Sequence, residues 1–235
     1  MTFLLVLACT AAACFLLRTP IKKFPVVFYL LAAALDALFV AGCLGLLPWF
    51  VWDGLSLLVR RCALAFSLFT VVMFIGVLPV GSKARSWLAP IRGELSIVAC
   101  ILALGHAAFY LVSYVPRLLA GGAAGANMRA SFVAAVLLLV LLLVLGVTSF
   151  NVVKNRMRST TWKRVQRFAY LFFALAYIHL ALSLAPSALQ GGASAQASMV
   201  VYTAVFALYA VLRVMRCVLV DRSSKEDATA DQAGA

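Results

Sequence analysis

The chain has 235 residues, of which 66% are hydrophobic and 11% charged, and its 20 Lys and Arg against 7 Asp and Glu give a net charge of +13. Soluble domains carry about 25% charged residues, so this composition excludes a water-soluble globular protein and leaves lipid as the main solvent. In a soluble domain such a charge would point to nucleic acid. Here the cations sit in short links between apolar runs, where they set membrane topology, so no nucleic-acid partner is expected.

A spanning helix needs about 20 apolar residues. Seven runs qualify or nearly do, at 2–17, 24–51, 55–80, 95–115, 131–150, 165–184 and 199–220. They predict an all-α, polytopic membrane helical bundle of about seven transmembrane helices. The first run is short, and its positive charges follow it instead of preceding it. A retained helix with an outside N-terminus fits this better than a signal peptide.

The remaining basic residues agree with that orientation. One face receives Arg18, Lys22, Lys23, Lys83, Arg85, Arg92, Lys154, Arg156, Arg158, Lys163, Arg164 and Arg167, joined near the C-terminus by Arg213, Arg216, Arg222 and Lys225. The other face keeps only Arg60, Arg61, Arg117 and Arg129. The positive-inside rule puts the first group in the cytoplasm. Trp87 and Trp162 on that side, with Trp49 and Trp52 on the other, fit aromatic belts.

The outer links AGGAAGANMRA and APSALQGGASAQAS are too small for a domain, and the polar tail 221–235 is expected to be disordered. The six cysteines lie in or beside apolar runs without a CxxC, as small packing residues, and no disulfide is expected.

Two histidines occur in the whole chain, each within an apolar run. His106 follows Arg92 by fourteen residues and His179 follows Arg164 by fifteen, which puts them roughly 21 and 22 Å above their basic starting points at the helical rise. An imidazole in hydrocarbon is costly without a partner. Two at matched depth, on helices running the same way, suggest one shared partner, and a haem iron with two axial ligands would satisfy both. A proton relay or a hydrogen-bonded core residue is the competing reading for either ring.

The surroundings favour haem. Gly105 and Ala107 flank His106, and Ala176 lies one turn before His179, so a flat macrocycle has room. Tyr110 and Tyr114 continue the His106 face and would wall a porphyrin, unless they are ordinary interfacial aromatics. Arg60 and Arg61 would hold haem propionates, or else anchor the third helix at the interface. Asp36 is a costly mid-span charge, open to three readings: protonated, paired with Arg60 or Arg61, or engaged in proton uptake. Arg213, near the end of the last helix, is placed to snorkel.

Thr148-Ser149, the stretch Trp162-Lys163-Arg164-Val165-Gln166-Arg167-Phe168-Ala169-Tyr170 and Tyr177-Ile178-His179-Leu180 together resemble the ferric reductase-like transmembrane domain family. The nearest variety is the MsrQ (YedZ) type, the haem-binding membrane subunit of bacterial protein-methionine-sulfoxide reductase. The run from Arg92-Gly93-Glu94 to Gly105-His106-Ala107-Ala108-Phe109-Tyr110 matches that family's helix with one histidine followed by an aromatic. The likeness covers roughly residues 55–220 and implies a six-helix core, with the helices of 1–54 outside it as candidates for a subunit contact. It also implies a multi-pass protein of the bacterial inner membrane, with the N-terminus outside and the C-terminus cytoplasmic.

The resemblance implies haem b on His106 and His179. It breaks at Gln166, where the family pattern has a second histidine. An amide is a poor iron ligand, so one haem is expected and an inner second one lacks its ligand. Arg92 lies at the corresponding depth on the partner helix, and a basic lower site of Arg92 and Gln166 would instead receive a quinone head group or a flavin.

The leading expectation is therefore a b-type cytochrome subunit. It would take electrons from quinol or a cytoplasmic flavin reductase and pass them to an extracytoplasmic reductase or flavoprotein, with ferric reduction at the outer face a further route. No GxGxxG or flavin domain occurs within these residues, so a self-contained NADPH oxidase is not expected. The alternative is a non-redox transporter or assembly subunit with structural histidines. Transporters of this kind show internal repeats or broken mid-span helices, whereas here no repeat is evident and the prolines sit near helix ends.

Overall fold

The computed structural model describes residues 2–79, 81–119 and 125–233, and the side chains of all of these except 117–119 and 219–233. The side chains of Arg117, Arg222 and Lys225, and the Gly/Ala-rich link over 120–124, lie outside the described residues.

Helices α1 (Thr2–Leu16), α2 (Arg18–Lys23) and α3 (Pro25–Cys43) open the chain. Then come α4 (Trp49–Leu55), a π-helical turn (Ser56–Arg60), α5 (Ala63–Val77) and α6 (Lys83–Leu88), with a 3-10 turn over Ala89–Ile91. The rest is α7 (Arg92–Leu119), α8 (Ala126–Ser149), α9 (Asn151–Arg156), α10 (Ser159–Leu189) and α11 (Ala193–Ala233). Six helical segments are long and apolar enough to cross a membrane, and α1 is a shorter apolar helix beside them. The protein is a polytopic helical bundle.

Local chemistry accounts for most boundaries. Pro25 opens α3 at a position where its missing N–H costs nothing. The Ser82 side chain accepts from the Arg85 amide and caps α6. The run expected at 24–51 stops at Cys43, because Gly45 takes a positive φ of 76° and Pro48 stands extended before α4. Trp49–Leu55 therefore joins the next span, not the second. That span is itself interrupted at Cys62, a non-glycine residue in the left-handed region with φ 55°.

Two prolines placed at span ends by the sequence reading do not end their helices. Pro116 and Pro186 lie within α7 and α10, which continue to Leu119 and Leu189. The polar stretch from 221, expected to be disordered, continues α11 in backbone form to Ala233. Its Ala, Glu, Lys and Gln content suits a helix.

The core forms around α5. Leu68, Val71, Val72 and Ile75 of α5 are buried with Leu95, Ala99 and Leu102 of α7, Cys14 of α1, Ala32 of α3 and Leu142 of α8. Thus α1 packs on α5 and α3 on α7, holding both N-terminal helices against the rest. A second cluster joins Met73 and Val77 of α5 to Phe173 of α10 and Tyr209 of α11. The outer faces of α3, α8 and α11 expose Leu and Val, as lipid-facing helices do.

Candidate functional site

His106 stands on α7 opposite the π-helical turn. The turn and the left-handed Cys62 interrupt the helix at Arg60, and carbonyls at such an end lack their usual in-helix donors. His106 supplies one: its Nδ1 lies 2.8 Å from the Arg60 carbonyl oxygen. A carbonyl only accepts, so Nδ1 carries the proton and Nε2 keeps its lone pair.

His179 on α10 repeats the arrangement with α8. Its Nδ1 lies 3.0 Å from the Ser131 carbonyl oxygen and 3.2 Å from the Ser131 hydroxyl. Ser131 Oγ is 2.9 Å from Ser183 Oγ, and Ser183 in turn donates to the His179 carbonyl at 2.8 Å. Both rings are thus held by Nδ1–H on a backbone carbonyl, the support that metal-ligating histidines ordinarily have.

Neither Nε2 has a hydrogen-bond partner among the described residues, and neither is among their sealed, unsatisfied polar atoms. α8 packs on both α7 and α10, while those two helices touch each other little. Among the described residues no group of three or more His, Cys, Asp or Glu gathers in metal-binding fashion. Two imidazoles fill only two positions of an iron, so an iron held here would need its remaining ligands from elsewhere.

Around His106, Tyr110 lies with its ring centroid 4.8 Å away and tilted 54°, and Tyr114 continues the row at 5.5 Å. Arg60 and Arg61 are exposed at the same end. The Arg60 guanidinium sits 5.6 Å from the Phe109 ring centroid, so its backbone and its side chain both meet α7 beside the histidine.

Gly105 and Asp36 differ from expectation. The Asp36 carboxylate occupies the space that a Cβ on Gly105 would fill, so the missing side chain admits α3 and not a macrocycle. Asp36 makes no ion pair with Arg60 or Arg61, and its Oδ1 is buried without a partner. The pairing reading is overturned because the carboxylate is turned onto the α7 backbone. Ser131 and Ser183 were missed by sequence reasoning, since a serine at the start of an apolar run carries no local signal of what it faces.

At the other end of the bundle, Gln166 Nε2 donates to Thr148 Oγ1 at 3.1 Å, and Trp162 Nε1 to the Thr148 carbonyl at 3.0 Å. Arg92 turns instead to Gly76, where a Cβ would stand 3.7 Å from its Nη2. No hydrogen bond joins Arg92 to Gln166 among the described residues. An apolar cleft of about 260 Å³ lined by Asn127, Tyr177, Ile178, Ala181 and Met199 among others lies beside α10, and neither histidine lines it.

A family model described as the ferric reductase like transmembrane component matches residues 61–178, half of the chain, taking in His106 and ending one residue before His179. The chain belongs to this family. Membership marks it as related to the transmembrane component of ferric reductases. A protein of Treponema pallidum (strain Nichols), described as "Uncharacterized protein", is 39% identical over 213 residues, covering 85% of this chain and 56% of that protein. The chain thus spans little more than half the length of the relative it matches. No solved structure matches it.

Proposed function

We propose that this ferric reductase-like chain is a b-type cytochrome subunit, in which His106 and His179 would together hold the iron of one haem b. The observation that carries this is the shared state of the two rings: each is fixed through Nδ1 by a backbone carbonyl, and each leaves Nε2 without a protein partner among the described residues. Bound there, haem b would supply a one-electron couple whose potential is set by its ligands and their surroundings.

The chain's own residues would do the rest. The Arg60 and Ser131 carbonyls hold the imidazoles in the ligating tautomer and raise their basicity. Arg60 and Arg61 are placed to take the propionate carboxylates, and Tyr110 walls the His106 side. Gln166, engaged with Thr148, is not a ligand, which favours a single haem.

In this reading the protein lies in the bacterial inner membrane, N-terminus outside and C-terminus cytoplasmic, as the distribution of Lys and Arg favours. Electrons enter from quinol in the bilayer or a cytoplasmic flavin reductase. They leave to an extracytoplasmic reductase or flavoprotein, because the histidines lie toward the poorly charged face.

The test is a reduced-minus-oxidised difference spectrum of the purified chain, followed by iron and haem per chain. A b-type α-band with one haem per chain is expected. No haem, with the chain folded, would leave the histidines structural and the redox reading without support.

A further inference from the structure

Four guanidinium groups gather at the end of the bundle away from the histidines, around the C-terminus of α5. Arg85 Nη1 donates to the Leu78 carbonyl at 3.2 Å. Arg92 lies against Gly76, two residues earlier, with its Nη2 3.7 Å from where a Cβ would stand. Tyr209 packs its ring 5.7 Å from Phe74 and 5.0 Å from Phe173, and the Arg213 guanidinium stands 4.6 Å from the Tyr170 ring centroid. Arg213 and Arg216 stand about one turn apart on α11, which packs on α5.

These cations come from α6, α7 and α11, so no single helix face explains their meeting. Among the described residues none of the four forms an ion pair with a carboxylate. The α5 C-terminus offers the equivalent of about half a negative charge, far short of four positive ones. Snorkelling to water explains a lone arginine near a helix end, but Arg92 is half-buried and turned inward to α5. Like charges held together at the membrane surface call for an anion, and basic pockets between spanning helices are where anionic head groups bind.

We infer that Arg85, Arg92, Arg213 and Arg216 form a binding site for a phosphate group, supplied by the head group of an anionic phospholipid that seats between α5, α7 and α11. Guanidinium forks suit phosphate oxygens. The Tyr170 and Tyr209 rings form the apolar wall beside them. The site is separate from the histidines and needs no haem.

The test titrates the full chain in neutral detergent with short-chain phosphatidylglycerol, phosphatidylcholine and inorganic phosphate, following bound molecules by native mass spectrometry. Saturable binding of phosphatidylglycerol is expected, about tenfold tighter than phosphatidylcholine. Arg92→Gln and Arg213→Gln should each weaken it about fivefold, the value of one cation near a charged surface. Arg156→Gln, at an exposed position outside the cluster, should leave it unchanged. Inorganic phosphate that saturates the site and displaces the lipid would support the site and make the source soluble. Arg216→Gln, at the margin of the cluster, gives the same reading should Arg92→Gln fail to fold. Equal binding of the two lipids, or wild-type affinity in the Arg92, Arg213 and Arg216 variants, would overturn the proposal.

Discussion

The two ends of the bundle solve the problem of polarity in lipid in opposite ways. At the histidine end, neutral rings borrow backbone carbonyls, Arg60 for His106 and Ser131 for His179, and each keeps one nitrogen free. At the arginine end, charged groups from three helices crowd the α5 terminus with a single carbonyl bond, from Arg85 to Leu78. Neutral groups can be oriented by the fold and left open toward a ligand. Crowded like charges favour a counter-ion, so in our proposals the first end takes a metal and the second an anion.

The variants that break the first end most completely are His106→Ala and His179→Ala. Each should abolish the six-coordinate, low-spin haem in the purified chain, since one remaining imidazole leaves it at most five-coordinate, and neither should affect phospholipid binding at the other end. Haem absorbance and native mass spectra measure both on one sample.

Next comes the contact that ties α3 to the histidine helix. Gly105→Ala drives a methyl into Asp36, an overpacking error that costs about 1–3 kcal/mol. A lower thermal midpoint is expected, and Asp36→Ala in the same chain should recover most of it. Full loss without recovery would mean that Gly105 serves some other neighbour.

A parallel pair lies midway between the ends. Gly146 on α8 admits Cys100 Sγ of α7, which also reaches toward the Leu142 carbonyl at 3.7 Å. Gly146→Ala should cost about 1 kcal/mol or more, and Cys100→Ala should relieve it. Thermal unfolding of the single and double variants gives the coupling between them.

The smallest effect is expected from Ser131→Ala. It keeps the carbonyl that holds His179 and removes only the hydroxyl shared with Ser183. Haem content should stay at one per chain while the midpoint potential moves slightly. Loss of haem in this variant would shift the support of His179 from the backbone to the side chain.

The sequence made the spans legible because lipid leaves little choice: about 20 apolar residues are needed to cross it, and runs such as the one over α8 show it plainly. It also singled out His106 and His179, because imidazoles are rare in hydrocarbon and their spacing from Arg92 and Arg164 could be counted. What remained hidden depended on backbone conformation and on contacts between distant residues. The left-handed turn at Cys62 and the break before Pro48 moved a span boundary. The partners of the histidines are carbonyls, which every residue owns, so no residue type announces them. Asp36 was noticed as costly, with pairing to Arg60 or Arg61 as one of three readings; its neighbour is instead the bare backbone of Gly105.

The central claim is that both imidazoles bind the same iron. Electron paramagnetic resonance of the oxidised chain tests it most directly, with iron and haem counted on the same sample. The account predicts one low-spin ferric signal of bis-imidazole type per chain, absent from both His106→Ala and His179→Ala. A low-spin signal that persists in either variant, or two distinct haem signals in the wild type, would contradict it.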